Sequence, residues 1–264
     1  MRRVALSINI IYKLSTLCRI VMRMRGFVAF DIETNGLWDD ESNTPPSILC
    51  VVTMRVQRVG MGLYQCDERI AWTGARGGFM DQPQIDKLIC YLANETSAGF
   101  PGLTWNGCGF DFRVLHAIAS PGPSRSLCRE LVLAHIDPMF AFFCQRGFPV
   151  ALDSVARAAG TMRKSGSGAD AAAMWAADTD ASRAAVIAYC ERDVAVLVAV
   201  AAHCESIGHI PWFTKRRDKL ARSDPLDVLS TVSENLSLPE VDNSWFGRDR
   251  PTRAGFVGWL ETDK

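Results

Sequence analysis

The sequence predicts an α/β domain of the layered kind. Three observations predict it. An apolar run, Phe27 to Phe30, reads as a buried strand; two more strand-like runs follow closely; and from Pro83 onward helix-patterned segments alternate with short strands. Strands that come first and then alternate with helices make an α/β layered domain the natural reading. With 264 residues, the chain can bury one sizeable core, or one core plus an appendage.

The elements follow in order. Residues 27–32 form a first strand, ended by a loop through Asn43-Thr44-Pro45-Pro46. Ile48 to Arg55 and Met61 to Cys66 read as two strands joined at Gly60. Pro83 opens a helix whose apolar positions, Ile85, Leu88, Ile89 and Leu92, recur at helical spacing. Gly102 to Trp105 is a short strand broken by Asn106-Gly107, and Phe110 to Ala119 is a helix closed by Pro121-Gly122-Pro123. Arg125 to Ala134 forms another helix, and a short strand surrounds Ile136. Helices then cover Leu152 to Ala159, Ala171 to Ala177 and about Ala181 to Glu205, with a glycine-rich loop at 163–168. After Gly208 the texture changes to Pro, Trp and scattered charge, which suggests a C-terminal appendage, a tail or lid over 208–264. The main domain is expected at 25–207. No internal repeat is present.

Composition excludes little. Lys plus Arg equals Asp plus Glu, so no global basicity advertises a nucleic-acid partner. Metal ions can supply positive charge at a phosphate-handling site, so such a partner stays open. The nine cysteines contain no CxxC pair and no Cys/His spacing of a zinc site. They read as reduced thiols of an intracellular, cytoplasmic protein. Residues 1–24 are basic and lack any acid, and are expected to be a poorly ordered extension, with Met24 as a working start. A transit peptide is the competing reading. The longest uncharged run there, Val4 to Tyr12, is too short to span a bilayer, and no membrane partner is expected.

Chemistry concentrates in a few carboxylates. Asp31 and Glu33 lie two apart at the tip of the first strand, so they share one face of it. Buried carboxylates without partners are costly. Asp39 and Glu41 repeat the spacing, but in a Pro- and Asn-flanked loop where they read as solvated. Asp111 follows a glycine turn at the start of a helix, and Asp193 lies mid-helix among Ala and Val. Tyr189 precedes Asp193 by four residues, so both project from one helical face. The plain alternative for Asp193 is a buried ion pair with Arg113 or Arg192.

DIET at 31–34, NGCGFD at 106–111 and YCERD at 189–193, in that order, resemble the three motifs of the DEDD superfamily of 3′–5′ exonucleases, whose fold is ribonuclease H-like. Tyr189 places the resemblance in the DEDDy branch; the histidine branch would have a histidine where Ala188 stands. HIDPMFAF, ALDSVARAAG and KSGSG are similar to further motifs of the polymerase-B-like group of predicted exonucleases. The likeness spans roughly residues 27–206.

The resemblance implies a three-layer ribonuclease H-like domain that removes nucleoside monophosphates from the 3′ ends of single-stranded DNA or RNA. It implies two divalent cations, Mg²⁺ or Mn²⁺, which together stabilise the attacking and leaving oxygens of an in-line displacement. Asp31 would bridge the two metals, Glu33 and Asp193 would complete the water-activating site, and Asp111 would support the second metal. Tyr189 would orient the attacking water; an ordinary phenol ionises near pH 10 and is a poor base.

Thr34, Asn35, Trp105 and Asn106 are placed to touch the terminal nucleotide. Asn106 is equally readable as a turn residue before glycine, and Trp105 as core. Lys164 and Ser165 could reach phosphates, or belong to a plain linker. Asp137, before Pro138, reads as a turn or cap. The basic octet at 215–222 reads as a solvated helix face or as a contact to a nucleic-acid backbone. An inactive binding module of the same fold and a ribonuclease H-like endonuclease are the alternative functions.

Overall fold

The computed structural model describes residues 24–39, 42–75, 78–162, 168–214 and 218–261. The expectations placed on residues 1–23, on Asp40 and Glu41, on Lys164 and Ser165 and on Lys215 to Arg217 fall outside these residues.

Three antiparallel strands, β1 (Gly26–Thr34), β2 (Ile48–Gly60) and β3 (Leu63–Thr73), are joined by the short strand β4 (Gly102–Leu103), which runs parallel to β1. The order across this mixed sheet is β3-β2-β1-β4. β1 is therefore interior and buried from Gly26 to Phe30. Alternation along it divides the core: Phe27 and Ala29 face one hydrophobic layer, whereas Val28, Phe30 and Ile32 face the other.

On the second face lie α1 (Gln82–Ser97), α2 (Asp111–Ile118) and α3 (Pro123–Ala134), with α4 (Pro138–Arg146) beside them. Asp81 caps α1 in a capping box with Gln84, and Pro83 occupies its first turn. On the first face, α7 (Asp180–Ile207) packs on β1 and β2, with α5 (Leu152–Ala159) and α6 (Gly168–Ala176) against it. Glu205, near its C-terminal end, accepts hydrogen bonds from the Tyr64 hydroxyl at 2.7 Å and from the Gly62 N–H at 2.8 Å. Gly62 has φ +64, and a Cβ there would meet the Ala202 carbonyl and Ser206 on α7, so this turn needs glycine to dock.

Three departures from the sequence reading have physical causes. The third strand runs on to Thr73 rather than ending at Cys66, through Asp67, Glu68 and Arg69. It is an edge strand, where charged side chains are tolerated. α4 is a helix, PMFAFFCQR, in which Pro138 to Cys144 are all buried, so no amphipathic period marks it. Ile136 before it makes only isolated bridges, parallel to Leu103 and antiparallel to Thr231. Third, residues 220–222 of the basic octet form β6 (Leu220–Arg222), paired antiparallel with β5 (Pro211–Phe213), rather than a helix face.

The segment after Gly208 packs back on the domain. The Val232 N–H donates to the His135 carbonyl at 2.9 Å from α8 (Val232–Leu236). Beyond α9 (Arg253–Val257), Trp259 Nε1 donates to the Cys108 carbonyl at 2.8 Å. No helix among the described residues is long and apolar enough to cross a membrane.

Candidate metal centre

Asp31 and Glu33 continue the alternation of Phe27 and Ala29, so both carboxylates leave β1 on the face covered by α7. Across the ladder Asp31 lies opposite Val52 and Glu33 opposite Cys50, and the register slips between Glu33 and Thr34, where regular pairing ends. Glu33 is buried and Asp31 partly so. Cys190 of α7 meets them. One carboxylate oxygen from each acid and the Cys190 Sγ all lie within 4.8 Å of one another.

Cys190 donates its S–H to the main-chain carbonyl of Asp31 at 3.4 Å. Burial first, then its hydrogen bond with Cys50 and the charges of Asp31 and Glu33, push this thiol well above its ordinary range. It is therefore a protonated thiol at neutral pH, and thiolate, the metal-binding form, is disfavoured. The oxygen donors of the cluster suit a hard cation such as Mg²⁺ or Mn²⁺.

Asp111 arrives from the other side of the sheet. β4 pairs with β1 only at Val28 and Ala29. The chain then turns through Trp105-Asn106-Gly107, where Asn106 has φ 71 and a Cβ on Gly107 would sit 2.1 Å from Thr104 Oγ1. Asp137 holds this turn. Its Oδ1 accepts the Asn106 N–H and the Phe140 N–H, both at 3.1 Å, and its Oδ2 accepts the Cys108 N–H at 3.3 Å. Asp137 is thus the cap of α4 and the clamp of the loop that delivers α2.

Asp111 is the first residue of α2, where the helix dipole favours negative charge. Its carboxylate nevertheless ionises well above the usual range. Burial is the main cause and the neighbouring Asp31 charge the second, while hydrogen bonds from the N–H groups of Asp111 and Ile32 oppose them. Asp111 and Asp31 are therefore close enough to repel. A divalent cation is the group that would relieve this repulsion, and the residues present fit one.

Asp193 lies on α7 in a continuous buried stripe with Val186, Cys190, Val194, Leu197 and Ala201. It stands three residues, about 4.5 Å of helix rise, beyond the Cys190 that touches Asp31. Asp193 is 2% exposed. Tyr189, one residue before Cys190, sits at the partly exposed edge of the same stripe.

The remaining sequence candidates have local commitments. Thr34 Oγ1 donates to the Gly36 carbonyl at 2.7 Å, and Asn35 Oδ1 accepts the Ser47 N–H at 2.8 Å. Trp105 donates its indole N–H to the Val150 carbonyl at 2.9 Å and packs against both core layers. Asn106 is a left-handed turn residue whose buried Oδ1 has no hydrogen-bond partner among the described residues. Cys190 did not emerge from sequence reasoning. The available signal was its position three before Asp193, on one helical face with it.

The sequence profile RNase_H_2, of the RNase_H superfamily, matches residues 28–204, more than half of the chain. No curated protein matches. Among solved structures, exonuclease I is similar at 14% identity and a TM-score of 0.37, over 68% of this chain and 40% of that one. E. coli exonuclease I in complex with a 5cy-dT13 oligonucleotide is similar at 13% identity and a TM-score of 0.36, over 69% of this chain and 40% of that one. The chain thus spans about two fifths of the length of exonuclease I. Residues 28–204 contain all three carboxylate motifs and the mixed, helix-flanked sheet that carries them, and the chain belongs to the RNase_H superfamily.

Proposed function

We propose that this chain is a metal-dependent 3′–5′ exonuclease that releases nucleoside 5′-monophosphates from the 3′ end of single-stranded DNA or RNA. The observation that supports it most is the meeting of Asp31 and Glu33 at the end of β1, within 4.8 Å of one another and of Cys190, with Asp111 held above its usual range by burial and by the Asp31 charge. Divalent cations bound there would supply Lewis-acid stabilisation of the attacking and leaving oxygens and acidify a bound water.

The chain's own groups do the rest. Asp31 and Glu33 hold cation from β1, Asp111 from the start of α2, and Asp193 from α7. The position of Tyr189 at the exposed edge of the stripe that carries Asp193 suits its hydroxyl to hydrogen-bond the attacking water and fix its line of approach. Thr34, Asn35, Asn106 and Trp105 border the terminal nucleotide, the first three offering polar groups and the last an aromatic face.

The test is digestion of 5′-labelled single-stranded DNA and RNA with Mg²⁺, with Mn²⁺ or with chelator. A ladder that shortens from the 3′ end, and only with metal, is expected. Internal cuts would replace the exonuclease reading with an endonuclease, and no cleavage under any condition would leave a binding module.

A further inference from the structure

Between the loop after β1, helix α2 and the C-terminal segment lies a cleft of about 570 Å³. That volume is ordinary for a small-molecule site. Trp38, Arg113, His116, Arg125 and Trp259 line it, and among the described residues no carboxylate does. The Arg113 guanidinium stacks over the Trp38 ring, 3.9 Å from its centroid. The Trp259 ring packs on His116 with centroids 5.1 Å apart. Arg125 gives Nε to the Ala119 carbonyl and Nη2 to the Ala117 carbonyl, both at 3.1 Å. These acceptors are neutral, so they fix the guanidinium without cancelling its charge.

Two links join the cleft to the metal centre. Asp111 opens α2, and Arg113 and His116 follow on the same helix, about 3 Å and 7.5 Å further along its axis. Trp259 donates its indole N–H to the Cys108 carbonyl, in the loop that leads into Asp111. A dry apolar groove would suit a protein helix. Indole faces interleaved with fixed guanidinium groups suit a strand that presents flat bases and anionic phosphates in turn.

We propose that this cleft holds a nucleotide of the single-stranded substrate, its base against Trp38 and its phosphate against Arg125, so that the C-terminal segment, which lines the cleft through Trp259, forms part of the substrate-binding surface. The choice of substrate rests on the exonuclease reading; the test does not, because it is run without catalysis. Binding of a fluorescein-labelled dT or rU 12-mer is followed by anisotropy in chelator, over a range of salt concentrations. Arg125→Gln should weaken binding about tenfold and reduce the slope of log K against log salt by about 0.7, the value for one phosphate of a single strand. Trp38→Ala should weaken binding by a similar factor, as loss of one stacking platform does, and leave the slope unchanged. Arg125→Lys, which keeps the charge, should keep the slope, and thermal melts show which variants are folded.

Weakening with these two slope signatures supports the cleft even if the wild-type protein cleaves nothing, in which case the exonuclease reading alone falls. Unchanged affinity in folded Arg125→Gln and Trp38→Ala would overturn the proposal while leaving cleavage untouched. So would absence of any oligonucleotide binding, or displacement of the 12-mer by poly-glutamate at equal charge concentration.

Discussion

The thiol of Cys190 donates to the main-chain carbonyl of Asp31 at 3.4 Å, tying helix α7 to the strand end that carries two carboxylates. At this point the helix bearing Tyr189 and Asp193 packs directly on the strand that carries Asp31 and Glu33, so a larger side chain there would push the two apart. Cys190→Leu adds volume at a fully buried position and should cost about 1–3 kcal/mol in denaturant unfolding. Mn²⁺ should no longer raise its melting temperature. Cys190→Ala should stay near wild type in its metal response, because it leaves the spacing of helix and strand intact.

Repulsion between Asp31 and Asp111 predicts an unusual mutant. In chelator, Asp31→Asn removes the charge that opposes ionisation of Asp111 and should be at least as stable as wild type, by up to about 1 kcal/mol, or roughly 2–4 °C in Tm. With millimolar Mn²⁺ the order should reverse, because only wild type gains from binding. Calorimetry with and without metal checks both halves.

Asp137 accepts three main-chain N–H groups, those of Asn106, Cys108 and Phe140. Asp137→Ala leaves these donors buried without acceptors and should cost about 2–4 kcal/mol. Hydrogen exchange should show loss of protection at Cys108 and Phe140 before the sheet is affected.

Much of this architecture was legible because local and tertiary signals agreed. Phe27 to Phe30 is apolar and the strand is interior; Pro83 and the Ile85 to Leu92 spacing mark α1 and the helix is there. Where only tertiary context decides, the sequence was silent. α4 is buried over Pro138 to Cys144 and shows no period, and Asp67 to Arg69 lie in a strand because they stand at an edge. The same holds at the site. Asp31 and Glu33 advertise themselves by two-residue spacing at an apolar tip, but Cys190 matters only through its contact with Asp31, across 159 residues of chain.

His135 gives a pH signature separate from the carboxylates. It is buried, with Nδ1 against the Val132 carbonyl at 2.6 Å and Nε2 3.9 Å from Asp137 Oδ2. Burial lowers its pKa below the usual 6.5, although Asp137 and the Val132 carbonyl pull it back up. The unfolded chain therefore binds the proton first. Stability from this residue is present above about pH 6.5 and is lost as pH falls through the lower folded value. His135→Gln should flatten the stability–pH curve below about pH 6.5, as read from denaturant midpoints.

The central claim is that Asp31, Glu33, Asp111 and Asp193 hold divalent metal. Anomalous diffraction from crystals grown with Mn²⁺ tests it directly. The account predicts anomalous peaks within about 2.5 Å of carboxylate oxygens of Asp31 and Glu33, with Asp111 and Asp193 facing the same density. Mn²⁺ bound elsewhere, with these four side chains turned to separate surfaces, would contradict it.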